Sequence, residues 1–138
     1  MIPKSLHALC MVENPEELEQ ILLKGAELFF IKCEVFASPS VQSTIQSLGE
    51  NDTCVCLADF EMLSETDANM LFSHFSNNSE QALIALVSLE NELLGISSLK
   101  RGASDYIVKE YMTSASVVKT MIQSLERQSF SAISTRLD

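Results

Sequence analysis

The sequence is poor in basic residues. Nine Lys and Arg stand against nineteen Asp and Glu among 138 residues, which gives a formal net charge of −10. A surface this acidic repels the phosphate backbone of nucleic acids. We therefore expect no direct binding to nucleic acid, and we expect proteins and metal cations as partners.

Long apolar runs are also missing. No stretch approaches the roughly 20 apolar residues that span a bilayer, and the first residues, Met1 to Lys4, lack the apolar segment and cleavage site of a signal peptide. We expect a cytoplasmic protein that makes no contact with a membrane.

Metal-binding and cofactor-binding patterns are absent as well. The two histidines, His7 and His74, are far apart, and Cys54-Val55-Cys56 has no second ligand pair, which argues against a zinc site. The four cysteines lie in apolar runs, so we expect buried free thiols in a reducing compartment. Only four glycines occur and none follows the first apolar run, where a phosphate-cradling loop would lie. This disfavours a small flavodoxin-like enzyme or cofactor binder.

What the sequence does contain is a regular alternation of short apolar runs and amphipathic segments. The runs predict five buried strands at residues 6–12, 29–37, 53–58, 82–87 and 106–108. Predicted helices begin at Pro15 behind an Asn14 cap, at Ser38-Pro39, after Ser64-Glu65-Thr66, near Asn91 and near Thr113. Such an alternation is typical of an α/β fold: a doubly wound, five-stranded parallel sheet with helices on both faces.

The helical periodicity also predicts which side chains face the core. The expected inward residues are Leu18, Ile21 and Leu22 in the first helix, Val41, Ile45 and Leu48 in the second, Ala68, Leu71, Phe72 and Phe75 in the third, Leu93, Ile96 and Leu99 in the fourth, and Val117, Val118, Met121, Ile122 and Leu125 in the last. Gly102 is expected to end the fourth helix.

Four of the predicted strands end at a polar group. Glu13-Asn14 follows the first strand, Asp59 the third, Ser88 the fourth and Lys109 the fifth. Because parallel strands present their carboxyl ends at one edge of the sheet, these groups are expected to converge on one site.

At these residues the chain resembles the receiver domains of two-component response regulators, over roughly residues 5 to 126. The segment from Asp59 to Leu63 is similar to the family's Asp-x-x-Met-Pro, and Leu86-Val87-Ser88 to the end of its fourth strand. The run from Gly102 to Lys109 follows its Gly-Ala-x-x-Tyr-x-x-Lys pattern. The resemblance implies a flavodoxin-like sheet with the strand order 2-1-3-4-5.

The resemblance also implies a role for each site residue. Asp59 would accept a phosphoryl group from a histidine kinase or a phosphotransfer protein, in a phosphorelay. Ser88 and Lys109 would hold that group, and Tyr106 would act as the switch aromatic. Such a domain is not an enzyme beyond its own phosphorylation and dephosphorylation.

A weakened magnesium site is the second implication of the resemblance. Its ligands would be Glu13, Asp59 and the backbone carbonyl of Glu61. The family has two adjacent acids after the first strand, whereas this chain reads Val12-Glu13-Asn14-Pro15. Either Asn14 replaces the second acid or the loop is one residue shorter, and both alternatives weaken the site. Leu63 and Glu110 stand where the family usually has proline.

Two readings of the function follow. In the first, residues 1–126 form a phosphorylated receiver domain, and residues 127–138 form a helical extension or a linker to an output domain such as a diguanylate cyclase. Homodimerisation is expected through the fourth helix, fifth strand and fifth helix, with Leu94 and Tyr111 as exposed apolar contacts. In the alternative, the chain is a pseudo-receiver, a protein-interaction module without phosphotransfer.

Overall fold

Five parallel strands form a single sheet in the computed structural model, which describes residues 5–37, 40–47, 54–76 and 81–137, the side chains of Ser47 and of residues 129–137 excepted. The strands are β1 Ser5–Met11, β2 Lys32–Ala37, β3 Cys54–Asp59, β4 Gln81–Val87 and β5 Asp105–Val108, in the order β2-β1-β3-β4-β5. The helices are α1 Pro15–Leu28, α2 Val41–Ser47, α3 Glu65–Ser76, α4 Glu92–Arg101 and α5 Ser114–Leu137. The predicted fold class and strand order are confirmed.

Two apolar layers cover the two faces of this sheet. On one face, side chains of β1, β3 and β4 pack against α1 and α5; the helix contributions are Leu18, Leu22, Val117, Val118, Met121, Ile122 and Leu125. On the other, the alternate strand side chains pack against α2 and α3, with Val41, Ala68, Leu71, Phe72 and Phe75 buried. β3 and β4 are buried along their whole length, which explains their continuous apolar sequences. The expected inward residues of α1, α3 and α5 are therefore in the core, with Ile21 half-buried.

Asn14 caps α1 as predicted. Its Oδ1 accepts a hydrogen bond from the Glu17 backbone N–H at 3.3 Å, and its amide nitrogen lies 3.4 Å from Glu17 Oε2. Pro15 is the first residue of the helix. A cap of this kind contributes about 1 kcal/mol to the free energy of unfolding. In this arrangement the Asn14 side chain is hydrogen-bonded to the end of the helix.

The predicted start of the second strand at residue 29 is wrong, because α1 ends in the apolar segment that precedes β2. Phe29 is the C-terminal cap of α1, and Phe30 has a φ of 57°. The amide groups of Phe30 and Ile31 donate to the carbonyls of Glu27 and Ala26 at 3.2 and 2.9 Å. These bonds satisfy the end of the helix, so β2 begins only at Lys32.

Phe30→Gly is expected to raise the free energy of unfolding by about 1 kcal/mol and the Tm by about 4 °C. A positive φ is unfavourable for an L-residue, and the Phe30 side chain is 96% exposed, so its loss removes little packing. Thermal unfolding followed by circular dichroism measures the change. Phe30→Ala is the control, because it also deletes the ring but keeps a Cβ at this φ. A gain of the same size in Phe30→Ala would contradict this account.

The predicted inward face of α4 is also wrong. Leu93, Ile96 and Leu99 are 80%, 40% and 40% exposed, and the buried residues are Gly95 and Ser98. A Cβ on Gly95 would lie 2.6 Å from Tyr106 Cδ2. The helix therefore approaches β5 through its smallest side chains, which turns the larger apolar ones outward. Gly102 ends α4 with a φ of 123°, as expected.

Other sequence predictions have mixed outcomes. All four cysteines are free; Cys10, Cys54 and Cys56 are buried, and Cys33 is half-buried. Burial is the main cause that raises the pKa of Cys10 to about 12, so this thiol is protonated at neutral pH. Among the described residues, no helix combines the length and apolar character that crossing a bilayer requires. The helix start at Ser38-Pro39, Leu48 and Thr53 lie outside the described residues.

Candidate functional site

Asp59 and Lys109 meet at the carboxyl edge of the sheet. Asp59 is the last residue of β3, and Lys109 directly follows β5. The Lys109 Nζ lies 3.0 Å from Asp59 Oδ2 and 3.4 Å from Glu61 Oε1. The Asp59 side chain is 8% exposed, so its carboxylate is held in a largely desolvated position beside an ammonium.

Both carboxylate oxygens of Asp59 are oriented by hydrogen bonds. Oδ2 accepts from Lys109, and Oδ1 accepts from the backbone N–H of Glu61 at 3.0 Å. The backbone turns immediately after the strand, where the Met62 N–H donates to the Asp59 carbonyl at 3.1 Å. This turn brings Glu61 back toward the site.

The pKa of Lys109 is raised. Burial alone would lower it, but the hydrogen bond and charge of Asp59, followed by those of Glu61, outweigh the burial. Lys109 is therefore charged at neutral pH. Because the pKa is higher in the folded chain, the stabilisation from this ion pair is fully present below the ordinary lysine pKa and is lost as pH rises through the raised value.

A small cavity of about 250 Å³ borders the Asp59–Lys109 pair. Glu13, Asn14 and Glu17 line it together with Asp59 and Lys109. The structure thus places Glu13 on the wall of the same cavity as the pair, and its role as a metal ligand remains a prediction.

The residues around this cavity fit magnesium only weakly. No group of three or more His, Cys, Asp or Glu that could hold a metal is present in the part of the chain that the structure describes. The Asn14 oxygen is used in the cap of α1. Glu13 and Asp59 remain, and Mg²⁺ is commonly bound by one or two carboxylates with several waters. A weak site is what this donor set supports.

Ser88 contacts Glu61 and Asn91. The Ser88 backbone N–H donates to Glu61 Oε1, and the Asn91 side-chain amide donates to Glu61 Oε2 at 2.9 Å. The same amide lies 3.4 Å from Ser88 Oγ. From the sequence, only the backbone carbonyl of Glu61 was predicted to have a role, as a magnesium ligand. The contacts of the Glu61 carboxylate and of Asn91 were not predicted.

These donors lower the pKa of Glu61. The Ser88 backbone hydrogen bond is the largest cause, and the bonds from Asn91 and the Ser88 hydroxyl and the charge of Lys109 act in the same direction. Glu61 is therefore an anion at neutral pH. Its contacts stabilise the fold above the ordinary glutamate pKa, and this contribution is lost as pH falls through the lowered value.

A second carboxylate binds the next backbone amide. The Leu89 N–H donates to Glu110 Oε1 and Oε2 at 3.0 and 3.1 Å. Glu110 is the residue that stands in place of the usual proline after Lys109. The glutamate in place of proline was the only sign of this contact in the sequence, and the contact with Leu89 was not predicted.

Tyr106 is engaged with α4. Its hydroxyl donates to Glu92 Oε2 at 2.8 Å, and its ring lies against Gly95. The hydrogen bond to Glu92 is the main cause that raises the pKa of Tyr106. The contacts couple β5 to the start of α4, and the predicted switch role remains a prediction.

No protein-family model and no curated protein matches the sequence. Solved structures match the fold. The signal receiver domain of a LuxO-type repressor from Vibrio parahaemolyticus has a TM-score of 0.68 at 12% identity, covering 94% of this chain and 96% of that one. The receiver domain of Francisella response regulator 1452 has a TM-score of 0.64 at 17% identity, covering 88% and 98%.

A third similar structure is described as an atypical orphan response regulator with a phosphorylation-independent regulatory mechanism. Its TM-score is 0.61 at 15% identity, and the alignment covers 88% of this chain and 96% of that one. At these identities the likeness concerns the fold alone, and it agrees with the strand order of the sheet. The chain has the fold of the receiver domains of response regulators.

Proposed function

We propose that the chain is a receiver module of two-component signalling that accepts a phosphoryl group on Asp59. One observation carries the proposal: the buried Asp59 carboxylate lies 3.0 Å from the Lys109 ammonium at the edge of a cavity. The receiver fold supports it. The donor would be a histidine kinase or a phosphotransfer protein.

The chemistry requires little covalent work from the protein. An Asp59 oxygen attacks the phosphorus of a phosphohistidine, the P–N bond breaks, the imidazole leaves, and an acyl phosphate forms. Catalysis of such a transfer is mainly positioning and charge stabilisation. Lys109 binds a phosphoryl oxygen, the Ser88 hydroxyl donates to another, and the Glu61 N–H orients the Asp59 carboxylate.

Magnesium is part of the proposal as a weakly bound cofactor. Glu13, Asp59 and the Glu61 carbonyl would hold it, and the ion would neutralise charge on the phosphoryl oxygens. Binding is measured without any transfer reaction, by following the Glu61 and Lys109 amide resonances as MgCl₂ is added.

The proposed partners follow from the same role. A cytoplasmic location suits a histidine kinase partner, and an output domain such as a diguanylate cyclase would follow residues 127–138. Exposed apolar side chains on α4 and on the segment between β5 and α5 support homodimerisation through the α4, β5 and α5 surface: Leu93 is 80%, Leu94 37% and Tyr111 67% exposed. We propose no direct contact with nucleic acid or membrane.

Incubation with acetyl phosphate and MgCl₂ is expected to add the mass of one phosphoryl group, and Asp59→Asn is expected to abolish the gain. Intact mass spectrometry measures both. Asp67→Asn is the matched control, because it removes an acid at the start of α3 and leaves the pair with Lys109 intact. A gain that persists in Asp59→Asn would place the acceptor elsewhere.

A pseudo-receiver without phosphotransfer is the second candidate. It is favoured by the Asn14 oxygen, which is used in the cap of α1, and by the carboxylates already bound to Ser88 and Leu89. Under this function, neither acetyl phosphate nor a phosphorylated phosphotransfer protein adds mass at Asp59.

A further inference from the structure

The junction between β4 and α4 is held by carboxylates from two other parts of the chain. The consecutive backbone N–H groups of Ser88 and Leu89 donate to Glu61 and Glu110, respectively. Glu61 comes from the turn after β3, and Glu110 from the segment after β5. The junction is therefore tied to both neighbouring strand ends.

The Glu61 carboxylate accepts hydrogen bonds from donors of the kind that would bind a phosphoryl group. Its two oxygens receive the Ser88 N–H and the Asn91 amide, and its Oε1 lies 3.4 Å from the Lys109 Nζ. Lys109 is also the ammonium that binds Asp59, at 3.0 Å. An anion on Asp59 and the Glu61 carboxylate therefore share one cation.

Charge makes the two arrangements compete. A phosphoryl group adds about −1.5 to −2 units of charge at neutral pH. Glu61 already carries a negative charge beside the same ammonium, and like charges brought together repel each other.

We propose that the Glu61 carboxylate is an internal anionic ligand that holds the β4–α4 junction in the unphosphorylated chain. Glu61 must release this junction before a phosphoryl group on Asp59 can bind Lys109 and Ser88. We call the set Glu61, Ser88, Asn91 and Lys109 the Glu61 latch. The release step rests on the proposed function, whereas the holding step is independent of it. Through the latch, the junction stays bound to Glu61 when Asp59 carries no phosphoryl group.

Glu110 provides a matched control within the same junction. It binds the neighbouring amide, that of Leu89, through both carboxylate oxygens, and these hydrogen bonds involve neither Asp59 nor Lys109. Glu110→Gln therefore alters the junction without removing the competing charge. Both glutamates belong to exposed segments, so the variants are expected to fold, which circular dichroism verifies.

The release step is tested by the rate of phosphorylation with acetyl phosphate. Glu61→Gln is expected to increase the rate about tenfold, because the competing charge is gone, and Glu110→Gln is expected to leave it unchanged. Phosphorylation of Glu61→Gln but not of the native chain would support the latch still more strongly. Equal rates in the native chain and Glu61→Gln would overturn the release step.

The holding step is tested by amide hydrogen exchange without a phosphodonor. Glu61→Ala is expected to speed exchange at Ser88 at least about tenfold, because a charge-assisted hydrogen bond is lost; Glu110→Ala should do so at Leu89 instead. If neither the native chain nor any variant is phosphorylated, the proposed function fails and the latch is judged here alone. Unchanged exchange at Ser88 in Glu61→Ala would overturn it.

Discussion

Gly25→Ala is expected to lower the free energy of unfolding by about 3 kcal/mol, at the upper end of what one added methyl group costs in a tightly packed interior. Gly25 lies on the face of α1 that meets the start of α5. An added Cβ would lie 2.2 Å from the Ser114 carbonyl oxygen and 2.6 Å from Val118 Cγ2. Because one of the obstructing groups is backbone, the helices have to separate, which loosens the core layer shared by α1 and α5.

Gly95→Ala is the comparison that makes the Gly25 prediction specific. It is also a glycine-to-alanine change inside a helix, but its new Cβ would meet only Tyr106 side-chain atoms, the nearest at 2.6 Å. The Tyr106 ring can swing away through a change in χ1, which does not require the two backbones to separate, and alanine favours helix over glycine by up to about 1 kcal/mol. Urea unfolding of both variants should show a much smaller loss for Gly95→Ala. Equal losses would show that the backbone contact at Ser114 does not set the cost.

The fold class was predictable from the sequence pattern because β3 and β4 are buried on both faces, whereas the strand order was implied by the resemblance to receiver domains. Their runs, Cys54–Asp59 and Gln81–Val87, contain almost only apolar side chains, and the helix between them, α3, carries apolar residues at helical spacing. Periodicity of this kind reports burial directly. The cap at Asn14 and the stop at Gly102 were also predictable, because each depends on a single residue's own chemistry.

The two errors in the fold have a common physical cause. The apolar residues Phe29 and Phe30 lie at the C-terminal end of α1 and not in a strand. In α4 the smallest residues face the core. Hydrophobicity does not distinguish a helix end from a strand in the first case, and it does not indicate which helix face is buried in the second. Backbone hydrogen bonds decide the first case, and the close approach of Gly95 to Tyr106 decides the second.

At the site, strand ends were predictable and side-chain partners were not. Asp59 is the last residue of a strand, and Glu13, Ser88 and Lys109 come after strand ends, so the parallel sheet brings them to one edge. The contacts of the Glu61 carboxylate with Ser88 and Asn91 depend on how two turns fold back on each other, and these residues are 27 and 30 positions apart. No periodicity encodes such a contact.

Lys109→Met is expected to slow phosphorylation of Asp59 by about 100- to 1000-fold, the cost of removing one charged donor from a developing anion. It is also expected to lower the free energy of unfolding by about 2 kcal/mol, because the largely buried Asp59 carboxylate loses its cation. The 35% exposure of the Lys109 side chain keeps this below the roughly 3–5 kcal/mol of a fully buried pair. Mass spectrometry and urea unfolding measure the two effects.

The double variant Asp59→Asn/Lys109→Met separates the ion pair from the packing of the lysine stem. If the loss in Lys109→Met comes from a stranded carboxylate, neutralising Asp59 should restore most of the stability, because no buried charge is left unpaired. Additive losses in the double variant would instead assign the effect to packing.

Lys109→Arg is a further variant, which keeps the positive charge but moves it. The free energy of unfolding is expected to stay the same, and only the rate of phosphorylation is expected to fall. Full phosphorylation activity in Lys109→Met would contradict the role given to the ammonium, whatever its effect on stability.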